Sequence, residues 1–177
     1  MTARFDLFRP IYRCRVSGAS WRECVVEWAT SLLEEGTDTP NLRILDGLSA
    51  ASDGDEIEDY FEATLADLDQ PLILELERRL GDARSIARAI SAGEIEAKEG
   101  TRLMHARAVD PLEHPPLLQP WCDLDGGFIM REGLAVQLEG DALEAEIKEY
   151  AARFLAEDPD GQLQELRAQL GEDTSVG

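Results

Sequence analysis

SIARAISAGEIEAKEGTRLMHARAVDPLEHPPLLQPWCDL, residues Ser85 to Leu124, decides the fold class. Ala83 just before it, with Ile86, Ala87 and Ile90, keeps the three-and-four spacing that places apolar side chains on one helix face. Gly93 is a stop. Leu103, Met104, Ala108 and Val109 then mark a second helix, with Lys98, Glu99, Arg102 and Arg107 at its polar positions. Asp110-Pro111 and His114-Pro115-Pro116 break that pattern, because proline lacks the amide donor and biases the preceding residue away from helical angles. Leu117, Leu118, Trp121 and Leu124 form one further short stripe. The reading is helix, turn, helix, then a proline-broken connection into a third short helix, with both histidines of the chain inside it.

The same logic extends to either side. Ser20 followed by Glu23 is a capping-box pattern, and Trp21, Cys24, Val25, Trp28, Ala29 and Leu32 continue as one face until Gly36. Thr39-Pro40 opens a short helix through Leu42 and Leu45. Asp55 to Leu68 is amphipathic, with Ile57, Tyr60, Phe61, Leu65 and Leu68 inward and an acid-rich first turn that suits the helix dipole. Pro71 to Leu80 reads as helix, with Gly81-Asp82 as its stop and a new cap. Ile11 to Val16 reads as a short strand. Beyond Asp125-Gly126-Gly127, FIMREGLAVQLEG reads either as a small hairpin about Glu132-Gly133 or as an irregular connection with part of a helix. Asp141 with Glu144 opens a helix carrying Leu143, Ile147, Tyr150, Phe154 and Leu155, Asp158-Pro159 ends it, and Leu163, Leu166 and Leu170 mark a last one.

These elements imply a mainly α fold, a compact bundle of about seven helices including short ones, with at most a small β element. The organisation expected is one helical domain over residues 1–177, with a basic N-terminal segment over 1–19 and a flexible tail over 171–177. A long helix followed by a proline-started short helix occurs twice, before NLRILDGL and before PLLQPWCDL, as in helical-hairpin repeats. IARAISAGEIEAKEGTRLM, HPPLLQP, NLRILDGL and EIEDYFEATLADL, within residues 20–125, resemble an uncharacterised family of small helical bacterial proteins. That resemblance implies an α-helical fold and a bacterial cytosolic setting, and it carries no site residues.

Charge narrows the functional classes. The formal net charge is −20, and Asp46 to Asp69 holds nine acidic residues and no basic one. Arg4, Arg9, Arg13 and Arg15 against Asp6 make the first fifteen residues net positive. Phosphate binding needs clustered lysine and arginine, so nucleic acid is not expected as a direct ligand. No apolar run approaches the roughly 20 residues of a membrane span, and the N-terminus does not read as a signal peptide. The expectation is a cytoplasmic protein-interaction module, an inhibitor or immunity-type protein whose acidic face docks a basic partner. The residues assigned to that face are Asp53, Asp55, Glu56, Asp59 and Glu62.

The alternative is a divalent-metal-binding protein or enzyme that uses the acidic loops with His105 or His114. Lying nine apart, the histidines do not share a helix face, and they converge with Cys122 or Asp123 only if the proline connection folds back. The simpler reading makes His114 a turn residue and His105 a partly buried helix residue, so no catalytic residue, metal ligand or cofactor is assigned. Asp123, Asp125 and Glu132 depart from calcium-loop spacing, with Gly127 and Leu134 where oxygen ligands belong. Cys14, Cys24 and Cys122 are odd in number and widely spaced, which suits neither a disulfide framework nor a zinc site and reads as reduced, buried thiols.

Overall fold

Caps and prolines set the helix boundaries in the computed structural model, which describes residues 4–49, 52–131 and 133–171. The fold is mainly α-helical, with one two-stranded antiparallel sheet among the described residues. The chain divides into two compact units, Met1–Leu74 and Glu75–Gly177. None of the described helices is long and apolar enough to cross a membrane. Glu132 at the expected hairpin tip and residues 172–177 of the expected tail lie outside the described residues.

The first unit holds α1 (Arg4–Leu7), α2 (Arg9–Val16), α3 (Trp21–Glu34), α4 (Pro40–Asp46) and α5 (Gly54–Asp67). The strand expected over Ile11 to Val16 is instead α2. Phe8, Ile11 and Tyr12 recur at helical spacing and are all buried, and Pro10 sits in the first turn, where its fixed φ suits a helix. That period outweighs the β-branched content of the segment. Ser20 completes the capping box of α3: its hydroxyl accepts from the Glu23 N–H at 3.2 Å, and its own N–H donates to the Glu23 carboxylate at 2.6 Å. Thr39 caps α4 and Asp53 caps α5 through their side-chain oxygens.

Aromatic rings fill the core these helices enclose. Trp28 is fully buried, 5.7 Å from the Phe8 ring and 5.5 Å from Phe61, and its indole N–H donates to the Leu7 carbonyl at 3.0 Å. The Trp28–Phe61 pair is edge-on, an arrangement that adds to the area it buries. Cys14 and Cys24 are joined by a disulfide with Cα atoms 5.5 Å apart, which ties the end of α2 to the start of α3. The expectation of three reduced thiols is therefore corrected for this pair. Wide sequence spacing gave no hint of it, because a tight helix–turn–helix brings distant positions together.

The second unit holds α6 (Glu75–Ala92), α7 (Ala97–Met104), α8 (Gln119–Asp125), β1 (Phe128–Arg131), β2 (Leu134–Gln137), α9 (Gly140–Ala156) and α10 (Pro159–Leu170). Two expectations about its start are corrected. Residues 71–74 are not helical, with Leu72 and Leu74 exposed, and α6 runs unbroken through Gly81-Asp82. Gly81 and Asp82 are buried on α6, which packs along α9. A mid-helix glycine costs about 1 kcal/mol relative to alanine, a penalty this burial outweighs. Gly93 does end α6, at φ +71°.

Arg84 on α6 finishes the neighbouring helix. Its guanidinium donates to the carbonyls of Leu155 at 3.1 Å and Glu157 at 3.2 Å, and to the Gln162 side-chain oxygen at 2.5 Å. The last carbonyls of a helix have no intrahelical partner, so this one side chain caps α9. Burial is the main cause that holds its pKa below the usual arginine range, and neighbouring Arg88 adds to it. Trp121 packs edge-on against Tyr150 at 4.8 Å and Phe154 at 5.7 Å, which seats α8 on α9. Asp141 opens α9 as expected. It lies in the first turn, and Glu139 holds the cap position without a side-chain hydrogen bond. The hairpin expected after Gly127 forms, pairing Phe128 with Gln137 and Arg131 with Leu134.

Candidate metal centre

The helix expected to run on to Val109 changes its winding at the first histidine. From His105 to Val109 it is a π-helix, and the Asp110 N–H bonds back to the His105 carbonyl, five residues away. In an α-helix, residues five apart point in different directions, whereas one π turn stacks them. The Asp110 carboxylate thus lies 3.1 Å from His105 Nε2. The Arg107 carbonyl accepts from Arg79 on α6 at 3.1 Å, which anchors the widened turn. Gly100 lets α7 approach α6, since a Cβ there would collide with the Ile90 side chain.

A backbone reversal follows. After a short 3-10 turn at Asp110–Leu112, Glu113 and His114 both adopt left-handed angles, φ +56° and +59°. Two consecutive non-glycine residues there are costly, and Pro115 restricts His114 further. The reversal is held by the His114 N–H bonded to the Val109 carbonyl at 3.1 Å. It swings the His114 ring back, its centroid 5.5 Å from that of His105, edge-on. The proline connection then runs through a 3-10 turn at Pro116–Leu118 into α8, which carries Cys122 to the same place.

One ligand atom from each of His105, His114 and Cys122 lies within 4.8 Å of the others. Cys122 Sγ is 3.5 Å from His114 Nδ1. On its far side, His114 Nε2 is 3.2 Å from the Asp110 carboxylate. His105 Nδ1 is 3.2 Å from the carboxylate of Asp125, which also accepts from the Thr101 hydroxyl at 3.3 Å. His105 therefore has a carboxylate against each nitrogen, Asp125 at Nδ1 and Asp110 at Nε2, and His114 has Asp110 at Nε2. Cys122 is the free cysteine of the chain, and its thiol is pushed above its usual range, first by burial and then by Asp123, Asp110 and Asp125. A bound cation would reverse that electrostatic pressure.

The fold-back needed for the histidines to converge with Cys122 is thus present, with His114 in the reversal itself. Asp123 lies outside this cluster, with its carboxylate accepting from Gln119 at 3.3 Å. Asp110 and Asp125 were not foreseen as its partners. The spacing of Asp110 and His114, four apart, was the one legible hint. The acidic residues Asp53, Asp55, Glu56, Asp59 and Glu62 belong to the first unit and are exposed on or before α5. Asp53 is occupied as the cap, with its carboxylate accepting from the Asp55 N–H at 3.1 Å. In the second unit, a separate groove of about 770 Å³ runs past Asp125, Lys98, Glu139 and Glu144.

Compared with known proteins, the chain matches no family model, no curated protein and no solved structure.

Proposed function

We propose that the chain binds one divalent transition-metal ion of the zinc class through His105, His114 and Cys122. The observation that carries this reading is the convergence of those three ligand atoms within 4.8 Å, with a carboxylate on the outer nitrogen of each histidine. Asp125 takes the proton of His105 Nδ1, and Nε2, which lies 3.1 Å from the Asp110 carboxylate, turns to the metal when the ion displaces that contact. Asp110 takes the proton of His114 Nε2 and leaves Nδ1. This carboxylate–histidine–metal arrangement fixes tautomer and ring direction.

One pair already has the spacing of tetrahedral coordination, and the remaining distances, up to 4.8 Å, close as the ion draws the ligands in. With metal–nitrogen and metal–sulfur bonds of ordinary length, neighbouring ligand atoms lie roughly 3.3–3.6 Å apart. The separation of His114 Nδ1 and Cys122 Sγ is 3.5 Å. Three protein ligands leave a fourth position for water beside Asp110, as in open zinc sites. Nitrogen and sulfur donors do not suit calcium or magnesium, which take oxygen.

Titration of the full chain with zinc, and with cobalt for its thiolate-to-metal absorption, tests the reading. One equivalent is expected to bind, with the charge-transfer band lost in Cys122→Ser. Asp110→Asn and Asp125→Asn are expected to weaken binding about 10–100-fold. An absence of stoichiometric binding, or an unchanged cobalt spectrum in Cys122→Ser, would overturn it.

The second reading is the cytoplasmic interaction module, with Asp53, Asp55, Glu56, Asp59 and Glu62 meeting a basic partner. It is supported by the exposure of all five side chains, within a segment without lysine or arginine from Asp46 to Asp69. Capture of a basic protein at low salt, lost on charge reversal of these residues, is the expected result. Capture that ignores salt and charge reversal would end this reading.

A further inference from the structure

We infer that the metal site is redox-gated: a peroxide that oxidises Cys122 releases the ion. The inference rests on the metal-binding reading and concerns the regulation of that site. Its starting point is the division of labour among the cysteines. Cys14 and Cys24 are already paired in the first unit, which leaves Cys122 as the free thiol. That same sulfur is one of the three converging ligand atoms. It is part-exposed, so a small oxidant can reach it.

The chemistry is a two-electron oxidation. The metal-bound thiolate attacks one oxygen of hydrogen peroxide and the O–O bond breaks. The sulfur gains that oxygen as a sulfenic acid, while the other oxygen leaves as hydroxide and is protonated to water. Sulfur is oxidised and peroxide is reduced, and no further reagent is needed. A sulfenic oxygen is a poor substitute for a thiolate, so the ion keeps only the two imidazoles and the neighbouring Asp110. A soft donor is lost from a site with three protein ligands to begin with. Among the described cysteines no second free thiol is present to trap the sulfenic acid as an internal disulfide, so an external thiol restores the site.

The geometry separates this sulfur from the other oxidisable sulfurs described. Met104 is fully buried, and Met130 is 61% exposed on β1, where it takes no part in the cluster. Peroxide damage at Met130 is therefore a distinguishable event.

The test loads the full chain with one equivalent of zinc, adds hydrogen peroxide and follows free zinc with a chromophoric chelator, while mass spectrometry reports each sulfur-bearing peptide. Zinc release is expected to track, mole for mole, the gain of one oxygen on the Cys122 peptide. A thiol reductant is expected to restore binding. Met130→Leu should release zinc as the parent does, and Cys122→Ser, if it retains zinc through the two histidines, should release none above its untreated control.

Zinc retained on a chain with oxidised Cys122 would overturn the inference, as would release with Cys122 unmodified. Where Cys122→Ser holds no zinc, the mole-for-mole comparison in the parent chain decides alone. Failure of the metal reading shows earlier and differently, as a chain that takes up no zinc before peroxide is added.

Discussion

The two units of the chain spend their polar groups in different ways. In the first, Ser20, Thr39 and Asp53 each satisfy a helix start within three residues of themselves. In the second, Arg84 reaches more than seventy residues along the chain to finish α9, and His105, Asp110, His114, Cys122 and Asp125 hold one another across two helices and a reversal. Local satisfaction makes a stable frame and little chemistry. Convergent side chains from distant positions make a site, and the backbone there departs from low-energy angles to allow it.

The sharpest way to break this comparison is to damage each frame and ask whether the other half responds. Trp28→Ala removes the centre of the aromatic core, and a loss of about 4 kcal/mol in chemical denaturation is expected. Zinc affinity should not change if the second unit stands alone. Arg84→Met strips the last carbonyls of α9 and the Gln162 oxygen of their donor, for an expected loss of about 3 kcal/mol. Arg84→Lys should recover only part of that, because an ammonium cannot span the same fork of acceptors.

Reduction of Cys14–Cys24, ten residues apart, opens a short loop and should lower stability by about 2–3 kcal/mol on the loop-entropy model, measured with and without reductant. The smallest effect belongs to the cap. Ser20→Ala should cost about 1 kcal/mol. The backbone and hydroxyl of Ser20 hold the Glu23 carboxyl below its ordinary 4.5. The folded pKa is depressed, so the cap's contribution is present above the unfolded value and lost as pH falls through the lower folded one. An acid titration of helix content should show that loss in the parent chain and a smaller one in Ser20→Ala, where the backbone N–H of residue 20 still donates to the Glu23 carboxylate and only the hydroxyl is gone.

Much of this frame was legible in the sequence because its determinants are local. Ser20 with Glu23, Thr39-Pro40, Gly93 and Asp158-Pro159 each announce a boundary through contacts a few residues long. Gly81-Asp82 misled for the opposite reason: burial along α9 overrode the propensity of a glycine to stop a helix. In the Ile11 to Val16 segment the deciding period starts outside it, at Phe8, and continues through Ile11 and Tyr12. The site was half legible. His105, His114 and Cys122 stand within eighteen residues, but their convergence depends on a π turn and a left-handed pair at Glu113-His114 that no residue preference predicts. Nothing in the spacing of Asp125 from His105 says that they touch.

The π turn at His105–Val109 also reads as an event in the history of the chain. A π turn is an α-helix that has accepted one extra residue without breaking. The widened turn absorbs that residue, and residues four apart share one face of an α-helix, so removing one alanine between His105 and Asp110 would restore regular winding with Asp110 still over His105 and the downstream chain in place. A relative shorter by one residue at this point would thus keep both the fold and the histidine–carboxylate pair, which marks the widened turn as an insertion that the scaffold absorbed.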